Sequence, residues 1–141
     1  GDLPLPLSQK APVAGAVIVT TPQDIALLDA MKGVEMFGKV DIPVLGILEN
    51  MSMHCCEACG HISHPFGEGG GSKISGELDV PLLGQLPLSM DIRQQADGGT
   101  PTVRAEPESA ASGLYRDAAR HLAARLWTRE QAAPTIRMVD D

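Results

Sequence analysis

Residues 15–21 read Gly-Ala-Val-Ile-Val-Thr-Thr, a continuous apolar run of strand length that is typical of a buried parallel strand. A second run of this kind, Ile-Pro-Val-Leu-Gly-Ile-Leu, occupies residues 42–48. A helix is predicted between the two runs, with Thr21 as its N-cap, Pro22 at its first position and Gly38 near its end. Strand, helix and strand over about 35 residues make a βαβ unit, for which we expect a right-handed crossover.

The same alternation continues toward the carboxyl terminus. Hydrophobic periodicity and turn residues predict a helix over 72–78, a strand over 80–86, a short helical turn over 91–96 and a long helix over 108–127. Strands interleaved with helices indicate an α/β fold with an open, mostly parallel sheet and flanking helices. We expect one domain over residues 1–127 and a loosely ordered tail over 128–141.

Composition excludes several classes of partner. The 141 residues include 11 Lys and Arg against 18 Asp and Glu, and the formal net charge of −7 argues against nucleic-acid binding, which needs basic patches. No apolar run approaches the ~20 residues that span a bilayer, so no membrane association is expected. The first residues lack the charged front of a signal peptide, which predicts a cytoplasmic location.

The loop over residues 51–71 contains all the cysteines of the chain, Cys55, Cys56 and Cys59. Cys56 and Cys59 form a C-x-x-C pair, a spacing that lets two thiolates converge on one metal ion. Cysteines clustered in one loop do not make a disulfide framework. Because adjacent cysteines point in different directions, we expect Cys55 to be a bystander rather than a third ligand.

A C-x-x-C pair supplies only two of the about four ligands that a tetrahedral zinc site or a four-iron cluster needs. The remaining ligands come either from His54, His61 and His64 in the same loop or from a second copy of the chain. The glycine-rich stretch 67–73 is not a Walker A loop, since it reads Ser-Lys-Ile where that motif needs Gly-Lys-Ser/Thr. We expect it to be flexible backbone that enters a helix at Ser72.

Ligands of open parallel sheets bind beyond the carboxyl ends of the strands. In this chain those ends are residues 20–22, 49–50 and 86–87. The cysteine loop leaves from the second of them, so a metal and a nucleotide would share one edge of the molecule. Asn50 either reads a nucleotide base through its side-chain amide or is simply a turn residue, and its position in the sequence leaves both roles open.

Five stretches together resemble the Mrp (ApbC) family of iron–sulfur cluster carrier ATPases, which are MinD-like P-loop proteins. They are Val-Thr-Thr-Pro-Gln-Asp-Ile-Ala-Leu-Leu-Asp-Ala (19–30), Gly-Ile-Leu-Glu-Asn-Met-Ser-Met (46–53), Cys-Glu-Ala-Cys-Gly-His (56–61), Phe-Gly-Glu-Gly-Gly-Gly (66–71) and Leu-Leu-Gly-Gln-Leu-Pro-Leu (82–88). The resemblance extends over roughly residues 1–127 and covers the carboxyl-terminal half of the family's P-loop domain.

The resemblance implies a homodimeric ATPase that holds a labile [4Fe-4S] cluster between two subunits and passes it to apo iron–sulfur proteins. Cys56 and Cys59 would then carry the cluster, two thiolates from each chain. Asn50 matches a position that contacts adenine, and the backbone after Leu86 at Pro87 lines the same pocket. Asp2, with the residue before it, matches the end of the family's switch segment, so that ATP and Mg²⁺ belong to the implied site.

The chain departs from the family pattern because the Walker A lysine loop and most of the switch segment are absent from its sequence. We therefore expect no ATP hydrolysis by this chain alone. Residues 15–21 and 43–49 are expected to expose apolar strand edges that a complete sheet would pair. Two other classes remain as alternatives: a zinc-binding structural module that uses Cys56 and Cys59, and a MinD-like ATPase without cluster chemistry.

Overall fold

A computed structural model describes residues 12–132 of the chain. Its strands and helices follow one another along the chain in the order β1, α1, β2, β3, β4, α2, β5, α3, α4 and α5. Their bounds are Ala16–Thr20 (β1), Asp24–Lys39 (α1), Val44–Glu49 (β2), His54–Cys55 (β3), Ile62–Ser63 (β4), Gly70–Leu78 (α2), Leu82–Gln85 (β5), Met90–Asp97 (α3), Thr102–Ala105 (α4) and Ala110–Ala132 (α5). The fold class is the predicted one, a parallel sheet with helices on both faces.

The main sheet has the strand order β1-β2-β5, and both pairs are parallel. The predicted exposure of an apolar edge is therefore wrong for residues 43–49, because β2 is the central strand. It is right for the first strand, which lies at the edge of the sheet that the described residues form and leaves Val19 61% exposed. A groove of about 400 Å³ runs between this strand and α1, from Val17 to Asn50.

Helices cover the two faces of the sheet. On one face Ile47 of β2, which is fully buried, packs in a cluster with side chains from the neighbouring strand and from α1 and α2; its other members are Ile18, Leu27, Ala30, Ile74 and Val80. On the other face α5 packs on β5 and β2. Gly84 allows this close approach, because a Cβ at that position would stand 2.9 Å from Cβ of Ala118.

The start of α1 differs from its prediction. The helix begins at Asp24 with Gln23 at the N-cap position, and the side chain of Gln23 makes no capping hydrogen bond. Thr21, which we expected to be the N-cap, instead donates its hydroxyl to Oε1 of Gln23 at 3.0 Å. Pro22 therefore lies outside the helix, and the Thr-Pro pair forms the turn that follows β1.

The helices after β5 are also longer or more numerous than predicted. The sequence pattern missed α4, a single turn over Thr102–Ala105, and α5 continues beyond residue 127 to Ala132. The rest of the predicted loose tail, residues 133–141, lies outside the described residues. Within residues 12–132 no helix is both long enough and apolar enough to span a bilayer.

Candidate functional site

The cysteine segment forms a small antiparallel hairpin. Strands β3 and β4 pair His54 with Ser63 and Cys55 with Ile62. The sequence predicted a loop here and gave no sign of strands, because two-residue strands are too short to show alternation. The hairpin leaves β2 at the carboxyl end of the strand, which is the edge that the sequence predicted for ligands.

The C-x-x-C pair occupies the turn of this hairpin. The N–H of Cys56 donates to the carbonyl of His61 and the N–H of Gly60 donates to the carbonyl of Cys56, both at 2.8 Å. Gly60 has φ = 74°, a left-handed conformation that glycine adopts without strain. The backbone is thereby folded back on itself, as two thiols that share one ion require.

Hydrogen bonds at this turn lower the pKa of the Cys56 thiol. The largest cause is the backbone N–H of Cys59, followed by the backbone N–H of Ala58 and then by the Cys59 thiol, while slight burial and the charge of Glu57 oppose the shift. Such bonds favour the thiolate, which is the form that binds metals. The side chains of Cys56 and Cys59 therefore lie together, and the pKa of the Cys56 thiol is shifted in the direction that favours metal binding.

Among the described residues, the turn gathers no third ligand. Across residues 12–132, no group of three or more His, Cys, Asp or Glu side chains is placed to hold a metal ion. All the cysteines are free thiols, and the sulfur of Cys55 lies 3.7 Å from the carbonyl oxygen of Gly60. Nor do His54, His61 and His64 complete a site with the pair, so one chain offers two thiols at this turn.

A buried carboxylate ties together the two ends of the segment that carries the hairpin. Glu49, at the end of β2, is 1% exposed. Its Oε1 accepts from the hydroxyl of Ser52 at 2.6 Å and from the amide of Gln85 at 3.3 Å, and its Oε2 accepts from the N–H of Gly71 at 2.5 Å. The predicted helix start at Ser72 is wrong, because α2 begins at Gly70. Within the glycine stretch that we expected to be flexible, the N–H of Gly71 is bound by Glu49 of the sheet.

The segment after β5 attaches to the start of the hairpin. The N–H of Ser52 donates to the carbonyl of Leu86 at 2.9 Å, and the N–H of Leu88 donates to the carbonyl of Met53 at 2.8 Å. The ring of His54 adds a side-chain contact, with Nδ1 3.2 Å from the carbonyl oxygen of Leu88. We call these contacts, together with those of Glu49, the hairpin base.

A cavity of about 370 Å³ lies beside the hairpin base. Asn50 and Pro87, the two predicted nucleotide-binding residues within the described part of the chain, both line it, as do His54 and the start of α3 at Met90. The Oδ1 atom of Asn50 accepts from the N–H of Met51 at 2.9 Å, which orients the amide and leaves its NH₂ group as a donor. The third predicted residue, Asp2, lies outside the described residues.

Solved structures with this architecture place the fold among the MinD-like P-loop NTPases. A nucleotide-binding protein from Archaeoglobus fulgidus, solved in complex with ADP, superposes with a TM-score of 0.64 at 34% identity, over 77% of this chain and 44% of that one. The cell division ATPase MinD from Pyrococcus furiosus superposes with a TM-score of 0.61 at 25% identity, over 79% of this chain and 43% of its own.

The sequence places the chain more narrowly. A family model described as "ParA: NUBPL iron-transfer P-loop NTPase" matches residues 1–123, and the chain belongs to this family. This result confirms the resemblance drawn from the five motifs.

Curated relatives agree with that assignment. The chain is 60% identical over 119 residues to a protein from Pseudomonas fragi named iron–sulfur cluster carrier protein, covering 84% of this chain and 42% of that protein. It is 48% identical over 134 residues to the mouse iron–sulfur cluster transfer protein NUBPL, covering 95% of this chain and 41% of that protein. The chain therefore spans about two fifths of the length of these relatives.

Sequence reasoning missed the residues of the hairpin base. The sequence marks Glu49 only as the end of a strand and His54 only as a candidate metal ligand. One signal was available for Glu49: a carboxylate that directly continues an apolar run in a buried strand must find donors, because an unpaired buried charge is costly. No comparable signal marks His54, since its partner is a main-chain carbonyl 34 residues away in the sequence.

Proposed function

We propose that this chain is the cluster-binding part of an iron–sulfur cluster carrier. In this proposal Cys56 and Cys59 from each of two chains hold one cluster, of the [4Fe-4S] type, which is cargo and is handed to apo iron–sulfur proteins. A nucleotide that binds with its base in the cavity beside Asn50 and Pro87 controls this exchange in the intact protein. The residues for ATP hydrolysis are not supplied by this sequence, which contains no Walker A motif.

The observation that carries the proposal is the two-thiol turn. Cys56 and Cys59 lie together at an exposed turn, and the pKa of Cys56 is lowered by its backbone donors. Thiolates are the usual ligands of iron–sulfur clusters, and a cubane cluster takes about four of them. Since one chain supplies two, a second copy is the simplest source of the rest, and a cluster held between two chains is open to ligand exchange.

The names of the relatives support an iron–sulfur cluster as the cargo. Proteins named iron–sulfur cluster carrier protein and iron–sulfur cluster transfer protein are 60% and 48% identical to this chain, and the family is described as an iron-transfer one. Four thiolates from two chains would also suit zinc. The names of the relatives and the exposure of the turn favour a transferable cluster over a structural zinc ion, which is usually enclosed.

The lining of the cavity supports the proposal that a nucleotide base binds there. The amide of Asn50 is oriented by the N–H of Met51, so its NH₂ group is left to donate to a ring nitrogen of a purine. Apolar side chains and backbone, including Pro87 and Leu88, make up much of the remaining wall. A mostly apolar cavity with one oriented polar group is the usual form of a base-binding site. The Archaeoglobus fulgidus protein of the same fold was solved in complex with ADP.

Anaerobic reconstitution with iron and sulfide tests the cargo. We expect the wild-type chain to become brown and to contain about two iron atoms per chain in a dimer, since one four-iron cluster is shared. Cys56→Ser and Cys59→Ser should each lose the visible absorbance and the iron. Cys55→Ser is the matched control in the same hairpin, and it should retain both.

The alternatives give different results in the same experiment. A wild-type protein that stays colourless and retains zinc through Cys56 and Cys59 would establish the structural-module alternative. A wild-type protein that binds neither metal, with serine variants that behave like it, would favour the MinD-like ATPase without cluster chemistry. Full iron content in Cys56→Ser would contradict the assignment of ligands.

The nucleotide half is tested with Asn50→Asp in the complete gene product that carries this sequence. Aspartate keeps an acceptor for the N–H of Met51 but removes the NH₂ donor, so the turn should be retained while ADP binding weakens about tenfold or more. The Kd for a fluorescent ADP analogue measures the effect. An unchanged Kd would show that Asn50 is only a turn residue.

A further inference from the structure

His54 belongs both to the cavity wall and to the cysteine hairpin. His54 lines the cavity, begins β3, and precedes Cys56 by two positions. Its Nδ1 atom lies 3.2 Å from the carbonyl oxygen of Leu88. Because a carbonyl oxygen can only accept, Nδ1 carries the proton and donates it.

This contact lies on the wall of the cavity as well as at the hairpin base. The partner residue, Leu88, also lines the cavity, and it is adjacent to Pro87. A main-chain bond joins the same residue to Met53, since the N–H of Leu88 donates to that carbonyl at 2.8 Å. Leu88 therefore makes two hydrogen bonds to the hairpin: its N–H bonds to Met53, just before β3, and its carbonyl bonds to His54 in β3.

We propose that His54 is a positioning residue that couples occupation of the cavity by a nucleotide base to the geometry of the Cys56–Cys59 turn, an inference that rests on the proposed function. A base that packs against Pro87 alters the position or the mobility of the Leu88 carbonyl. Because the imidazole N–H of His54 donates to this carbonyl, the alteration reaches β3. Coupling of this kind is reciprocal, so the cluster should alter the affinity for nucleotide by the same factor as the nucleotide alters the affinity for the cluster.

The test uses the complete gene product with its cluster reconstituted, and ADP and ATP as probes. The first measurement is the rate at which a ferrous chelator removes iron, with and without nucleotide. The second is the Kd for nucleotide, in the loaded protein and in the apoprotein. Three variants are compared with wild type: His54→Leu removes the donor, His54→Asn places an amide N–H near the position of Nδ1, and His61→Leu changes an exposed histidine of the same hairpin.

We expect nucleotide to change the chelation rate of wild type about fivefold or more, and the Kd for nucleotide to differ between the loaded protein and the apoprotein. His54→Leu should load iron and bind nucleotide yet lose both effects, whereas His54→Asn and His61→Leu should retain them. If His54→Leu does not hold a cluster, alkylation of Cys56 and Cys59 in the apoproteins replaces chelation, and its nucleotide dependence should be present in wild type and absent in the variant.

One result would overturn the inference while the proposed function stands: a nucleotide effect of wild-type size in His54→Leu. A loaded wild type whose chelation rate does not change with nucleotide would overturn the inference together with the proposed control of cluster exchange by nucleotide. A wild-type protein that takes up no cluster, and whose cysteines react at the same rate with and without nucleotide, would overturn the inference. It would also overturn the proposal that the cargo is an iron–sulfur cluster. A simple loss of structure in His54→Leu would lower iron content and nucleotide affinity together, and His54→Asn would then separate the lost donor from the lost ring.

Discussion

The two ends of the cysteine hairpin are built in opposite ways. At its base, Glu49 is 1% exposed and accepts hydrogen bonds from three donors that come from β2, α2 and β5 or their flanks. At its tip, backbone bonds within residues 56–61 hold the turn, and Cys56 and Cys59 are free thiols, the first half-buried and the second exposed. The base positions the tip, and the tip is left available to a ligand from outside the chain.

This difference has an energetic side. A buried carboxylate contributes to stability only when its donors are all present, because each lost partner leaves a charged group unsatisfied. An exposed thiol has no such requirement, and its replacement changes little in the folded chain. Substitutions at the base should therefore alter the stability of the fold, and substitutions at the tip should alter chemistry.

The largest effect is expected for Gly71→Ala at the base. A Cβ at this position would stand 2.4 Å from Oε2 of Glu49, so the carboxylate must move. It then loses the hydrogen bond that it accepts from the N–H of Gly71. We expect a loss of about 2–4 kcal/mol in the free energy of unfolding, measured by denaturant titration. Gly76→Ala is the control in the same helix, where a Cβ would have no atom of the described residues within 4 Å. It should stabilise the chain by up to about 1 kcal/mol. Equal stability of the two variants would contradict the claim that the contacts of Glu49 at the base stabilise the fold.

Glu49→Gln should have a smaller effect at the same place. Glutamine has the shape of glutamate, and Ser52 and Gln85 can each offer an acceptor to its NH₂ group by rotating. What is lost is the charge on the acceptor, so we expect about 1–2 kcal/mol of destabilisation. Glu57→Gln makes the same change on the exposed turn and should stay within about 0.5 kcal/mol of wild type. A larger loss for Glu57→Gln would reverse the roles of base and tip.

At the tip, the lowered pKa of Cys56 predicts altered reactivity. In a chain with Cys55→Ser and Cys59→Ser, Cys56 is the single thiol and keeps its two backbone donors. Because the thiolate is the reactive form, the rate of alkylation by iodoacetamide should fall at a lower pH in the folded chain than in the same chain unfolded in guanidinium. Coincident pH profiles would mean that the turn does not order its N–H groups. Adding Glu57→Gln should move the folded profile to still lower pH, since that carboxylate opposes the shift.

The smallest effect is expected for the stability of the tip variants. Cys56→Ser and Cys59→Ser should change the free energy of unfolding of the apoprotein by less than about 0.5 kcal/mol, although each is expected to abolish cluster binding. Thermal unfolding followed by circular dichroism measures this. A loss comparable with that of Gly71→Ala would show that the thiols are structural residues and that the comparison is wrong.

The sequence predicted the parts of the molecule that depend on periodicity or on local spacing. Apolar runs located β1, β2 and β5, although each predicted run was longer than the strand itself. The C-x-x-C spacing located the thiol turn. Asn50 and Pro87, assigned through the family resemblance, line one cavity in the structure.

What the sequence could not predict depends on contacts between distant residues. The central place of β2 follows from strand order, which the apolar runs leave open. The order of the glycine stretch depends on Glu49, 22 residues before Gly71. Capping of α1 by Thr21 was wrong because a threonine before a proline satisfied the sequence rule while the backbone made a turn there instead.

The sequence separation of hydrogen-bonded residues also determines the order in which their contacts can form during synthesis. The bonds that close the cysteine turn lie within residues 56–61, whereas the base needs Leu86 and Leu88. During synthesis the turn can therefore close about one to five seconds before its anchor has been made, at the usual rate of translation. In that interval the nascent chain already presents two adjacent thiols, so capture of a metal ion, or oxidation, can precede completion of the domain.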